Sequence, residues 1–159
     1  MELLMNESWT SIEVIWNGDL TFQGKNSKGA SVALGSAGSL TGISPMELLL
    51  IGLAGCTGID IVSILEKKRV NLQALKVYTR GTRANEHPRV YKRIEVSYVL
   101  WGDGLEPKDV EQAIRLSEEK YCSASAMLGM TSKITSTYHL NPDTQDFPLD
   151  GGYISGVIM

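Results

Sequence analysis

Two cysteines, Cys56 and Cys122, are the side chains of this sequence best suited to covalent chemistry. A thiolate is both a nucleophile and a metal ligand. The two residues are far apart and form no CxxC motif, so a disulfide between them needs a fold that brings their Cα atoms to about 4.4–6.8 Å. The spacing leaves two interpretations open: a redox-active pair, or two inert thiols.

The surroundings of each cysteine keep both interpretations open. Cys56 lies in the middle of an apolar helical pattern, where a free cysteine is usually a small core side chain. Cys122 follows residues 118–121, where one predicted helix ends and a short helical turn begins. A helix N-terminus lowers the pKa of a thiol, although a half-buried residue at a helix boundary fits the same pattern.

Glu47 is the third candidate site residue. It follows Ser44 by three positions, with Pro45 between them, and this spacing is typical of a capping box at a helix N-terminus. Glu47 therefore either caps its own helix or also assists a thiol. No metal site is predicted, because the only histidines, His87 and His139, have no ligand spacing to a cysteine.

The composition is that of a globular protein with one domain. The chain has 159 residues, 43% of them apolar and 21% charged, and a formal net charge of −3. This balance argues against binding to nucleic acid or to an anionic membrane surface. The longest uncharged apolar stretch, residues 48–59, is too short to span a bilayer, and MELLMNESW lacks the basic start of a signal peptide. A cytoplasmic location is therefore expected, where cysteines stay reduced.

The elements that must position these residues follow from hydrophobic periodicity. Alternating apolar residues predict a three-stranded meander over residues 12–34, with a half-buried first strand, an Asn17-Gly18 turn, and Leu20 and Phe22 on the returning strand. A Gly/Ser-rich loop over residues 35–42 precedes the central helix.

The central helix is predicted from Ser44 to about Lys68 and is apolar on nearly every side, so it is expected to be buried. Gly52, Gly55 and Gly58 recur along one stripe, where a second backbone can approach closely.

The second half of the chain predicts two strands, two helices and a last strand. The strands cover residues 75–83 and 94–100, and a helix opens at Pro107 with an inward face of Val110, Ala113, Ile114 and Ser117. A helical turn over 122–129 and a strand over 131–140 follow. The order βββ-α-ββ-αα-β predicts an α+β domain over residues 1–140, with mainly antiparallel sheets. Residues 141–159 are expected to form a tail, a linker plus an edge strand.

Two segments resemble the OsmC/Ohr superfamily. SPMELLL at residues 44–50 with LAGC at 53–56 is similar to its central-helix signature, and AIRLSEEKYC at 113–122 is similar to its second cysteine region. The two motifs occur in the same order and separation as in the family, and the resemblance covers about residues 8–140. It points to a less characterised branch, and it implies an intertwined homodimer built around the central helix.

The resemblance also implies a function, that of a thiol-dependent peroxidase which reduces organic hydroperoxides. Cys56 would be the peroxidatic thiol, Cys122 the resolving thiol and Glu47 the active-site carboxylate, with a dithiol such as a lipoylated protein as reductant and no cofactor. One departure concerns arginine. Active members carry an arginine near the end of the N-terminal meander, whereas the first arginine here is Arg69. Lys25 or Lys28 would have to take its place.

Three alternatives remain beside this function. The thiols could serve an enzyme or redox sensor that acts on another electrophile. The fold could instead bind a small apolar ligand, with the cysteines only lining the pocket. Both thiols could also be inert and structural.

Helix geometry also favours a homodimer. Glu47 and Cys56 are nine residues apart, which on a straight helix is a rise of about 14 Å and roughly half a turn. If Glu47 assists Cys56, the simplest arrangement therefore takes Glu47 from a second subunit.

Overall fold

The computed structural model describes residues 8–38 and 40–143, together with the backbone of Val157–Ile158. The chain divides into two compact units, Met1–Leu49 and Leu50–Met159. The first unit carries a three-stranded sheet and the second a four-stranded sheet. The predictions for the start of the chain and for most of the tail fall on residues outside those described.

The sheet of the first unit is the predicted antiparallel meander. Its strands are β1 (Ile12–Trp16), β2 (Phe22–Asn26) and β3 (Ser31–Leu34), in the order β1-β2-β3. The first turn forms where expected, with Gly18 at a φ of 102° that favours glycine. The turn is longer than predicted, since the Asn17 N–H donates to the Thr21 carbonyl at 2.9 Å. Leu20 therefore lies in the turn and not on β2.

The prediction of a half-buried first strand is wrong. All five residues of β1 are exposed, and Ile12 and Trp16 keep 68% and 65% of their surface. Period-two alternation identifies the apolar face of a strand, but it does not say whether the same chain covers that face.

The central helix α1 covers Pro45–Lys67, close to its predicted bounds. Its predicted burial is wrong, because within one chain only Leu53, Thr57, Ile61 and Leu65 are buried. These residues are spaced by four and form a single stripe. Over this stripe α1 packs on the second sheet, where Gly58 faces Val77. A helix that is apolar on every side needs cover on every side, and one sheet supplies it on one side only.

The second unit holds a four-stranded sheet of order β4-β5-β6-β7. Its strands are β4 (Asn71–Arg83), β5 (Tyr91–Asp103), β6 (Lys133–Leu140) and β7 (Val157–Ile158). β4 pairs with β5 antiparallel as predicted, β5 pairs with β6 parallel, and β7 joins β6 as an antiparallel edge strand. β5 is largely buried, with Ile94, Val96, Tyr98 and Leu100 at its core.

Between β5 and β6 lie two helices and one irregular turn. The helices are α2 (Pro107–Leu116) and α3 (Ser123–Leu128). Pro107 opens α2, and its predicted inward face is confirmed by the burial of Val110, Ala113, Ile114 and Ser117. One turn of π-helix, Ser117–Tyr121, joins α2 to Cys122, and the sequence did not predict it. Such turns insert an extra residue into a helix and often occur at functional sites.

Candidate functional site

The fold brings the two cysteines together. Cys56 lies on α1 and Cys122 directly precedes α3, and both belong to the second unit. Their sulfur atoms and a carboxylate oxygen of Asp60 all lie within 4.8 Å of one another. Both thiols are free. We call Cys56, Asp60 and Cys122 the thiol cluster.

Helix geometry positions each member of the thiol cluster. Cys56 and Asp60 are four residues apart on α1, so their side chains lie on the same face of the helix. On the other side, the Cys122 N–H donates to the Ser117 carbonyl at 2.7 Å and closes the π-turn. Cys122 then takes an extended backbone, with φ −76° and ψ 103°, as the N-cap of α3.

The two thiols differ in their environment. Cys122 is only 3% exposed, whereas Cys56 is half-buried. Burial raises the pKa of Cys122 above its usual value, and the neighbouring Cys56 raises it further, against a lowering effect of Ser125. The Ser125 N–H donates to the Cys122 sulfur at 3.3 Å. Of the two interpretations of Cys122, this environment agrees with that of a residue covered at a helix boundary, because burial is the largest influence on its pKa.

Asp60 and Ser117 are site residues that the sequence reasoning missed. The Ser117 hydroxyl, which is fully buried, donates to Asp60 Oδ2 at 2.8 Å and orients the carboxylate. The four-residue spacing from Cys56 to Asp60 was a usable signal, since it places an acid beside the thiol on any helix. No comparable signal links Ser117 to Asp60, because they meet only through the packing of α2 and the π-turn on α1.

A second carboxylate, Glu118, lies in the π-turn beside the thiol cluster. Its Oε1 accepts hydrogen bonds from the hydroxyls of Ser136 and of Tyr98, the latter at 3.4 Å. Burial raises the pKa of Glu118, partly offset by these donors. Burial also raises the pKa of Tyr98. A hydrogen bond with Thr57 lowers this pKa, and the nearby Cys122 raises it. The interior next to the cysteines therefore disfavours charge.

We expect Glu118→Gln to increase the free energy of unfolding at neutral pH. Because the folded-state pKa of Glu118 is raised above its usual 4.5, the stability linked to its proton is present below pH 4.5 and lost as the pH rises through the folded-state value. Glutamine keeps an oxygen that accepts both hydrogen bonds and carries no charge.

Denaturant unfolding between pH 4.5 and neutral pH checks this, and the stabilisation should grow with pH. An exposed acid on α1 provides the control, since Glu66→Gln should show no such trend. Lower stability of Glu118→Gln at neutral pH would contradict the expectation.

Glu47 forms the predicted capping box. Its carboxylate accepts the Ser44 N–H at 2.8 Å, and the Ser44 hydroxyl accepts the Glu47 N–H at 3.3 Å. These bonds lower the pKa of Glu47. Its role as an active-site carboxylate stays a prediction, as does any role of Lys25 on β2 or of Lys28 in the following turn. All three residues belong to the first unit.

Comparison with known proteins gives the family. The OsmC-like protein family model matches residues 36–137. Protein YhfA of Escherichia coli strain K12 is 35% identical over 127 residues, which cover 80% of this chain and 95% of YhfA. The crystal structure of a hypothetical protein from Aquifex aeolicus VF5 matches with a TM-score of 0.77 and 35% identity, over 85% of this chain and 98% of that one.

More distantly related proteins share this fold. The organic hydroperoxide resistance protein OhrB of Bacillus subtilis matches with a TM-score of 0.58 and 14% identity, over 83% of this chain and 98% of OhrB. This likeness concerns the fold alone. With the family model covering most of the described domain and the relatives matched over nearly their full length, this chain belongs to the OsmC-like family of the OsmC/Ohr superfamily.

Proposed function

We propose that this protein reduces organic hydroperoxides through Cys56 and Cys122. Membership in the OsmC/Ohr superfamily supports a redox or peroxide-related role. The observation that carries the finer proposal is the proximity of the two sulfur atoms, which lie within 4.8 Å of each other. They need only close to about 2.05 Å to form a disulfide.

The proposed reaction has three steps. The Cys56 thiolate attacks the outer peroxide oxygen, the O–O bond breaks, and the alkoxide takes a proton and leaves as an alcohol, so that Cys56 becomes a sulfenic acid. The Cys122 thiol then attacks the Cys56 sulfur, and water leaves as the disulfide forms. An external dithiol, such as a lipoylated protein, reduces this disulfide by exchange and is itself oxidised.

The difference in exposure supports this order of action. A peroxide from solvent meets the half-buried Cys56 first, since Cys122 is only 3% exposed. The raised pKa of Cys122 keeps it as a thiol until the sulfenic acid forms next to it. Apolar side chains are exposed close to each cysteine in the sequence, namely Ile59 on α1 and Tyr121. They suit a peroxide with an apolar group.

We expect a brief peroxide pulse to produce a Cys56–Cys122 disulfide within one chain. The reduced and oxidised protein are digested without reductant and mapped by mass spectrometry, and one cross-linked peptide pair should appear only after oxidation. A sample alkylated before the pulse is the control and should give no pair. Two free thiols after demonstrated turnover would remove Cys122 from the mechanism.

The homodimer also stays a proposal, and the surface of α1 favours it. By length and composition alone, α1 could cross a bilayer. Core helices of soluble proteins have the same length and composition, and OsmC-like proteins are generally soluble. Leu49, Ile51 and Ile59 are exposed on it. A Cβ built at Gly52 or Gly55 would meet no other described part of the chain within 4 Å, apart from the adjoining turns of α1 itself. A second copy of α1 would cover this surface, in a cytoplasmic dimer.

An apolar cleft in the first unit suits the alternative function of binding a small apolar ligand, although neither cysteine lines it as that alternative expected. It has a volume of about 410 Å³. Its apolar lining comes from Ile12, Val14, Ala30, Val32, Leu34 and Leu48. Peroxide-dependent oxidation of a dithiol separates the two functions, because a pure binding protein would not catalyse it.

A further inference from the structure

We propose that the thiol cluster binds a thiophilic divalent cation, with zinc as the best match, when both cysteines are reduced. The site uses the thiols of the proposed peroxidase but does not depend on peroxide reduction. It has two sulfur donors from Cys56 and Cys122 and one oxygen donor from Asp60. Mixed sulfur and oxygen donors in a compact group are a donor set that zinc accepts.

The distances are close to those that a metal ion requires. Two sulfurs bound at about 2.3 Å to one tetrahedral zinc ion lie roughly 3.8 Å apart. The three donor atoms of the cluster already lie within 4.8 Å of one another. Side-chain rotations that move a donor atom by about 1 Å therefore bring the three donors into this geometry.

The donors are oriented by groups that leave them free to bind. The buried Ser117 hydroxyl donates to Asp60 Oδ2, which leaves Oδ1 for a ligand bond. The Ser125 N–H donates to the Cys122 sulfur and holds it on the Cys56 side. Hydrogen bonds of this kind orient metal ligands and usually account for a factor of 10–100 in affinity.

Charge favours a cation at this position. Once an ion displaces both thiol protons, the cluster presents three negative charges to it within a few ångströms. None of the ion pairs found among residues 8–38 and 40–143 involves Asp60. A divalent ion supplies the missing positive charge, and its binding releases the two thiol protons to solvent. Cys56 is half-buried, so the open side of the site can hold a water as fourth ligand.

The thiol cluster contains no histidine, so the spacing between histidine and cysteine in the sequence could not predict this site. The ion also has a consequence for the proposed function, since metal-bound thiolates are held apart and shielded. We therefore expect bound zinc to slow the reaction of Cys56 with electrophiles.

A metal titration tests the site without peroxide. The reduced full-length chain, kept anaerobic with a non-thiol reductant, is titrated with Cd²⁺ while the ultraviolet sulfur-to-cadmium absorption is followed, and Zn²⁺ is then added in competition. We expect saturation at one ion per chain. Oxidising the cysteines to the disulfide should abolish the signal. No absorption at stoichiometric cadmium, or one ion shared by two chains, would overturn the proposal.

Matched variants decide whether Asp60 is a ligand. We expect Asp60→Asn to weaken zinc binding by roughly 100-fold or more and Ser117→Ala to weaken it by roughly 10-fold or more. Glu66→Gln, an exposed acid on the same helix, should bind zinc as the wild type does. Wild-type affinity in a folded Asp60→Asn variant, checked by circular dichroism, would overturn the three-donor site.

A second measurement uses only the wild-type chain. Saturating zinc should slow the alkylation of Cys56 by roughly 10-fold or more, as expected for a bound thiolate. An unchanged alkylation rate would also overturn the proposal. Because no peroxide is present in either experiment, a failed peroxidase assay leaves these outcomes unaffected.

Discussion

Cys56→Ser is expected to abolish hydroperoxide turnover, whereas Cys122→Ser should complete one turnover per chain and then stop. Loss of the nucleophile removes the only step that breaks the O–O bond, so the rate should fall by roughly 1,000-fold or more. Without Cys122 the first step still occurs, because Cys56 is the more accessible thiol. The sulfenic acid then has no intramolecular partner and accumulates.

Two readouts separate these outcomes. Rapid-mixing experiments with substoichiometric and excess peroxide give the number of peroxide molecules consumed per chain, and a dimedone-type probe reports the sulfenic acid on Cys56. Ser123→Ala, an exposed neighbour of Cys122, should behave as the wild type. Normal turnover by Cys56→Ser would show that the peroxidatic assignment is wrong, and multiple turnovers by Cys122→Ser would show that a second protein cysteine is not needed.

The second large effect is expected when two inactive variants are mixed. Glu47→Ala and Cys56→Ser should each be inactive alone, and together they should regain about a quarter of the wild-type activity. On a straight helix the nine residues from Glu47 to Cys56 rise by about 14 Å. Each active site would then combine Glu47 of one subunit with Cys56 of the other, as in an isologous dimer. Half of the randomly mixed dimers are heterodimers, and each has one intact site.

Sedimentation at low micromolar concentration checks the dimer independently of activity. Subunit exchange is confirmed with differently tagged chains before activity is measured, and each variant mixed with itself is the control. A stable folded monomer would contradict the dimer. If exchange is confirmed and no activity returns while both single variants are dead, the site is built within one chain.

Local features were predictable from the sequence because they depend on neighbouring residues. Ser44, Pro45 and Glu47 carry all the atoms of the capping box, so the start of α1 could be predicted without tertiary contacts. Period-two and period-3.6 patterns gave the strands and the inward face of α2 in the same way. The two motifs around Cys56 and Cys122 likewise gave the OsmC/Ohr family, since each is a continuous stretch of chain.

Tertiary structure alone decided how the site is assembled and how strongly each group is desolvated. The distance between the sulfurs depends on the packing of α1, α2 and the π-turn, and no short motif encodes it. The raised pKa of Cys122 follows from burial, and only the packed structure shows that burial. Burial of α1 was mispredicted for the same reason, because hydrophobicity shows that a surface needs cover, and only the packed structure shows which surfaces receive it.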